Sequence, residues 1–231
     1  MEISKELRLT SDQYFQQAFT KTQVYLHHTV GGSARSTFAY WQGNPDRIAT
    51  AYIIERDGTI FEVFDPMYWA WHLGLKTASN GQANKQSIGI EIASEGAMRS
   101  GHELNTMAHT TMFDETGLYA FDIDVPPFAH AKKICTLEDK NQYFDWPLVY
   151  RGYGFFHSYT ELQTVAAIWL VNQLCEQFNI PKKLIPNQDK FAFDESLILG
   201  FTGVLTHANV RIDKSDLDPA WDWDRLAKSF V

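Results

Sequence analysis

Residues 87–93 read Ser-Ile-Gly-Ile-Glu-Ile-Ala, an alternation with a period of two. In an extended chain, successive side chains point to opposite faces. Ile88, Ile90 and Ile92 therefore build one apolar face, and Gly89, Glu91 and Ala93 look the other way. A carboxylate in the middle of such a strand is costly unless it faces polar company. The segment thus predicts a strand with one side on a core and Glu91 turned towards a cleft. Upstream, residues 24–29 repeat the logic: Val24, Leu26 and His28 share a face, while Tyr25, His27 and Thr29 share the opposite one. The glycines at 31 and 32 follow, leaving room for a ligand beside His27.

Working outward, residues 50–56 and 59–64 read as a hairpin around a two-residue turn, Asp57-Gly58. Residues 11–19 predict a short helix entered through Ser11 or Asp12, and residues 36–41 another. Residues 158–178 give the clearest helix, with Ser158 and Glu161 at capping-box spacing and Leu162, Val165, Ala166, Trp169 and Leu174 near one stripe. Residues 203–207 read as a strand and 222–230 as a closing helix. Strands interleaved with helices indicate an α/β class with a mixed central β-sheet flanked by helices. Residues 94–150 show no sustained period, scattered aromatics and Pro126-Pro127. They read as a long insertion after the Ile-rich strand, with partial local structure, inside a single domain spanning 1–231.

Composition sets bounds on function. The chain has 231 residues, 45% hydrophobic and 14% aromatic, enough for a core without disulfide staples. A net charge of −8 without a basic stripe argues against nucleic acid and against docking on an anionic membrane surface. No run approaches the ~18 apolar residues of a membrane span. Charges interrupt the N-terminal residues too often for a secretory leader, so the chain is expected to be cytoplasmic as synthesised. Cys135 and Cys175 show neither metal-site nor disulfide-framework spacing and read as reduced thiols.

The chemistry-bearing residues lie far apart in sequence. His27 is aimed away from the apolar face of its strand, whereas His28 shares that face and suits a structural role. His207 follows the apolar run Gly203-Val204-Leu205, and Lys214 and Asp216 come seven and nine residues later. Two histidines and a carboxylate form a three-ligand set for a catalytic zinc. Glu91 then becomes a general base. Spacing alone leaves a second reading open, in which His207, Lys214 and Asp216 form a solvated loop with a surface ion pair.

Five segments occur in a telling order: LHHTVGG at 26–32, TAYIIERDGTIFEV at 50–63, AWHLG at 70–74, SIGIEI at 87–92 and LTHANVRIDKSD at 205–216. Together they resemble the zinc amidases of the peptidoglycan-recognition and phage-lysozyme superfamily, the type 2 N-acetylmuramoyl-L-alanine amidases. The resemblance implies a zinc ion (Zn2+) held by His27, His207 and Asp216, with Glu91 and Lys214 catalytic. It implies a peptidoglycan or muropeptide substrate, cut between N-acetylmuramic acid and L-alanine. A rival alignment takes Asp218, which precedes Pro219, as the third ligand, but only Asp216 keeps the Lys-x-Asp spacing. His72 is carried over as part of the cleft wall, with substrate contact or a packing or hydrogen-bonding role; Tyr52 and Trp71 are read as substrate-contacting residues, each with a packing role as its alternative. Trp41 and Trp69 could likewise stack on sugars or fill the core. Arg151 and Arg211, set against stem-peptide carboxylates, read as surface or structural. Two other functions fit the same sequence: a non-catalytic peptidoglycan receptor, and a zinc hydrolase of another amide.

Overall fold

The computed structural model describes residues 1–120, 128, 130–186 and 191–231; Pro126-Pro127 lies outside them. The strands in chain order are β1 (Ile3–Ser4), β2 (Gln23–His28), β3 (Tyr52–Ile54), β4 (Ile60–Glu62), β5 (Ser87–Ile92), β6 (Ala97–Ser100), β7 (Gly117–Ala120), β8 (Lys132–Thr136), β9 (Tyr143–Tyr150), β10 (Tyr153–His157) and β11 (Gly203–Thr206). The helices are α1 (Ala34–Gln42), α2 (Asn80–Gln86), α3 (Gly101–Ala108), α4 (Glu161–Gln177), α5 (Leu197–Gly200) and α6 (Trp223–Lys228). The sequence expectation of a mixed sheet flanked by helices holds.

The central sheet runs β1-β4-β3-β5-β2-β11. Its inner pairs β3/β5, β5/β2 and β2/β11 are parallel, and only β3/β4 is antiparallel. Val24, Leu26, Ile88, Ile90 and Ile92 pack on one face with Ala166, Leu170 and Leu174 of α4 and Leu226 of α6. On the other face Tyr25 and Leu205 are covered by Leu73, Leu75, Ala83 and Ile198. That cover stops before the carboxyl ends of the parallel strands, where parallel sheets place their ligand crevices. β2 ends with His27 and His28, β5 with Glu91 and Ile92, and β11 leads directly into His207.

Register fixes which side chains meet. His27 lies opposite Glu91, so both face the crevice, while Leu26 opposes Ile90 on the core side. Tyr52 is in register with Ile90. It therefore joins the apolar core at 2% exposure and does not line the cleft, which corrects its expected substrate role.

Residues 97–157 depart from expectation. The described residues of this span form a second, antiparallel sheet in the order β8-β7-β6-β10-β9, extending past the anticipated boundary at 150. The sheet buries Met98, Leu118, Ala120, Cys135 and Tyr143, with a satellite cluster of Leu104, Phe113, Tyr119 and Phe128. Their apolar residues sit at irregular intervals, so no period announced them. The edge strand β9 carries Pro147, which an outer strand tolerates because its missing N–H is not needed.

Three local expectations also move. Residues 11–19 are not helical: Phe15 N donates to Trp69 O at 2.8 Å, and the two rings stack at 3.9 Å. Tertiary pairing there outweighs local propensity. α4 starts later than expected, with Thr160 and Gln163 forming the capping box. Its buried side, with Gln163, Ala166, Ala167, Leu170, Val171 and Leu174, is rotated from the expected stripe by its packing on the sheet, leaving Leu162 exposed. The hairpin turn spans 55–58 rather than two residues; Gly58 N donates to Glu55 O at 2.9 Å, and Gly58 takes a left-handed φ of 84°. Cys135 and Cys175 are buried free thiols, as expected. Among the described residues, no helix is long and apolar enough to cross a membrane.

Candidate active site

The crevice opens as a cleft of about 540 Å³. At its floor His27 Nδ1 lies 3.1 Å from His207 Nδ1, and Asp216 Oδ2 lies 3.2 Å from each. All three side chains are buried. Tetrahedral ligand atoms at zinc–nitrogen distances sit roughly 3.3 Å apart, so this triangle has the dimensions of one tetrahedral face.

Hydrogen bonds decide what these atoms offer. His207 Nε2 lies 2.9 Å from the Leu73 carbonyl, which can only accept, so Nε2 carries the proton. The His27 tautomer is fixed through two further residues. Ser87 Oγ donates to Ala83 O at 2.8 Å and lies 2.8 Å from His72 Nε2. Its hydroxyl proton being committed, Ser87 accepts from His72 Nε2–H. His72 Nδ1 then accepts from His27 Nε2–H at 3.0 Å. Both Nδ1 atoms therefore turn lone pairs towards the Asp216 carboxylate, and a proton or a cation must sit among the three. Burial lowers the His27 pKa to about 4. A neutral imidazole and a carboxylate suit a metal ion better than a shared proton.

His72 takes the hydrogen-bonding one of its two expected roles. It lines the cleft, but both its ring nitrogens are taken up, leaving none for a substrate. Burial, followed by the neighbouring His27 and His207, holds its pKa well below the ordinary value. The relay through Ser87 went unread in the sequence, as did the space for it. A Cβ on Gly89 would lie 3.1 Å from His72 Nδ1 and 2.6 Å from Thr50 Cγ2. The glycine facing away from the isoleucines was the available signal. Trp71 is not among the cleft-lining residues. It packs edge-on to Trp69 at 5.0 Å and to Phe15 at 5.9 Å, so an aromatic cluster takes the place of the expected substrate contact. Trp69 belongs to that cluster, and Trp41 reaches the cleft.

Glu91 lines the cleft beside His27, and its Oε2 is inaccessible with no hydrogen-bond partner among the described residues. Burial, reinforced by the Asp216 charge, pushes its pKa up to about 8. An unpaired carboxylate poised near neutrality suits proton transfer. Lys214 lines the same cleft, partly buried, without a carboxylate partner among the described residues. Asp218 goes elsewhere. Its Oδ2 lies 3.2 Å from His28 Nδ1 and accepts from Tyr159 OH at 3.3 Å, with no exposed surface. The other histidines stay apart from the trio. His157 Nδ1 accepts from Glu95 N at 3.1 Å, and His102, His109 and His130 join no metal-sized cluster among the described residues.

With the geometry in place, comparison with known proteins gives the family. Residues 19–220 match the sequence profile of the Amidase_2 family, described as N-acetylmuramoyl-L-alanine amidase. The chain belongs to this family. It is accordingly an amidase of peptidoglycan, as the five motif segments implied. No curated protein matches it in sequence. Among solved structures it is similar to the amidase AmiD from E. coli in complex with anhydro-N-acetylmuramic acid-L-Ala-D-gamma-Glu-L-Lys. The TM-score is 0.52 at 15% identity, covering 96% of this chain and 62% of that one. The catalytic domain of XlyA gives 0.48 at 16%, covering all of both chains. The amidase LysC from Clostridium intestinale gives 0.47 at 12%, covering 99% and 96%. At these identities the AmiD likeness speaks for the fold alone.

Proposed function

We propose that this amidase hydrolyses the bond between the lactyl carbonyl of N-acetylmuramic acid and L-alanine with a zinc ion held by His27, His207 and Asp216. The observation that carries the reading is the convergence of two imidazole lone pairs and a carboxylate oxygen at 3.1 and 3.2 Å on the floor of an open cleft. When bound, zinc supplies Lewis acidity, polarising the scissile carbonyl and bringing the acidity of water towards neutrality. The remaining work falls to the protein. Glu91 takes the proton of the attacking water and returns one to the departing L-alanine amine. Lys214 sets a fixed positive charge where the carbonyl oxygen becomes an oxyanion. His72 and Ser87 hold the His27 ring in the tautomer that presents Nδ1, and the Leu73 carbonyl does the same for His207. The test is digestion of intact sacculi by metal-loaded protein, with the released peptides sequenced from their N-termini. L-alanine N-termini on sugar-free peptides are expected. Cleavage between peptide residues would move the activity to endopeptidase. Binding without any cleavage would favour a receptor.

A further inference from the structure

The second sheet has a place in the cleft. The loop before β6 and the β9–β10 hairpin bring Glu95, Ala97, Arg151 and Tyr153 into its wall. These groups face the floor that carries the metal-ligand trio. The hairpin tip is a two-residue turn, Arg151-Gly152, with Tyr150 and Tyr153 paired across it. Both tip residues have left-handed backbone, φ 53° at Arg151 and 88° at Gly152. Hairpins of this kind favour asparagine or glycine at the first position, because a larger L-residue is strained there. An arginine kept in such a conformation directs attention to its side chain.

The tip is held firmly. Arg99 Nη1 donates to Gly152 O at 3.0 Å, and the Arg99 guanidinium lies 4.4 Å from the Tyr153 ring centre. The Arg151 head is placed in turn. Its Nη2 donates to Ala208 O at 3.4 Å, next in chain to the ligand His207, and Ala208 N donates to Asp216 O at 2.8 Å. The guanidinium therefore hangs beside the backbone that joins two of the three candidate ligands. The charges in the wall leave it uncompensated. Glu95 is paired with Lys132 at 3.0 Å, and Asp213 with Arg211. Arg151 has no carboxylate partner among the described residues; its guanidinium lies 5.7 Å from the Tyr150 ring centre and makes one weak backbone bond, so donors remain for a ligand.

We infer that Arg151 is a specificity-determining residue that binds a free carboxylate on the substrate, the α-carboxylate of the residue after L-alanine. The inference rests on the amidase reading above. In a muropeptide whose second residue is γ-linked D-glutamate, that α-carboxylate stays free. Adjacent residues are about 3.8 Å apart, which puts the charge one residue beyond the scissile amide. Arg151 lines the same cleft as the trio and is anchored beside Ala208, on the wall that such a charge would meet. A guanidinium can grip a carboxylate with two parallel hydrogen bonds, whereas a neutral carboxamide cannot accept both.

The decisive substrates are N-acetylmuramoyl-L-alanyl-γ-D-glutamyl-L-lysinamide and its isoglutaminyl counterpart, in which the side-chain and terminal carboxyls are blocked and which differ only at this group. Metal-loaded wild-type protein should prefer the acid by about 10- to 100-fold in kcat/KM, chiefly through KM. Arg151→Asn suits the left-handed turn, so its melting temperature should equal or exceed that of the wild type, while the preference collapses towards unity. Arg151→Lys should restore part of it. Comparable cleavage of both substrates by the wild type, or an undiminished preference in Arg151→Asn, overturns the inference and leaves the amidase reading standing. Failure of the wild type to cleave either substrate, or sacculi, overturns the amidase reading and the inference with it.

Discussion

Two histidine–aspartate pairs lie on opposite faces of the same strand end. His27 meets Asp216 at 3.2 Å and His28 meets Asp218 at 3.2 Å, so neighbouring residues of one type engage nearby residues of another at the same distance. Their surroundings differ. Asp218 has no exposed surface and receives a second bond from Tyr159 OH, and the apolar core closes around it. For His28, burial works against the charged ring, yet the bond to Asp218 and the nearby carboxylates outweigh it and raise the pKa. That pair is completed by the Tyr159 hydroxyl, although His28 also lines the cleft. Asp216 instead meets a second imidazole whose outer nitrogen is already engaged, and the cleft opens above them. One pair closes a structure; the other leaves lone pairs facing one another. The residue types do not distinguish them. The third group does: a phenol in one pair, a second imidazole in the other.

The comparison can be broken most severely at its functional pole. Asp216→Ala should lose bound zinc, measured by metal analysis, together with sacculus hydrolysis; full zinc occupancy in the variant would remove Asp216 from the ligand set. Glu91→Gln should retain zinc and lower kcat by about 10²- to 10⁴-fold. Because burial raises the Glu91 pKa to about 8, folding is opposed as pH rises from the ordinary glutamate range through that value. The metal-free Gln variant should therefore melt at higher temperature than the metal-free parent at neutral and alkaline pH, and alike in acid. A parallel loss of stability at every pH would contradict the assignment. Lys214→Met should cost about 10²- to 10³-fold in kcat with zinc unchanged.

Smaller effects sharpen the other pole. Asp218→Ala leaves His28 and Tyr159 without their buried acceptor, and denaturant unfolding should report a loss of about 3 kcal/mol. Zinc should still bind to the folded fraction; zinc loss without a stability change would make Asp218 a ligand after all. His72→Phe keeps the ring volume but breaks the relay to His27, and zinc affinity in a chelator competition should fall by roughly 10- to 100-fold. An unchanged affinity would mean that His27 needs no orienting partner.

Much of this was legible in the chain. The alternation at 87–92 separated Glu91 from the isoleucines, and that at 24–29 separated His27 from His28, because a strand's period of two assigns faces without reference to neighbours. The resemblance implied Asp216 through its spacing from Lys214, and the folded chain brings that carboxylate, not Asp218, to the two imidazoles. Tyr52 and Trp71 were misplaced, and the role of His72 was left open, for related reasons. Tyr52 follows a register that only the pairing with β5 sets. Trp71 answers to Phe15, over fifty positions away. His72 spends its nitrogens on a serine and a histidine that no spacing rule connects. The segment at 11–19 failed likewise, through its pairing with Trp69.

The sequence by itself determined the class of fold, the faces of the two central strands and the residue types available for chemistry, since each follows from local periodicity or from the side chain's own functional groups. The tertiary structure alone decided which nitrogen of each imidazole is free, which aspartate meets which histidine, and that a second sheet brings Arg151 to the cleft. Those outcomes depend on partners distant in the chain. Distances of about 3 Å between such partners are fixed only when packing closes the whole molecule.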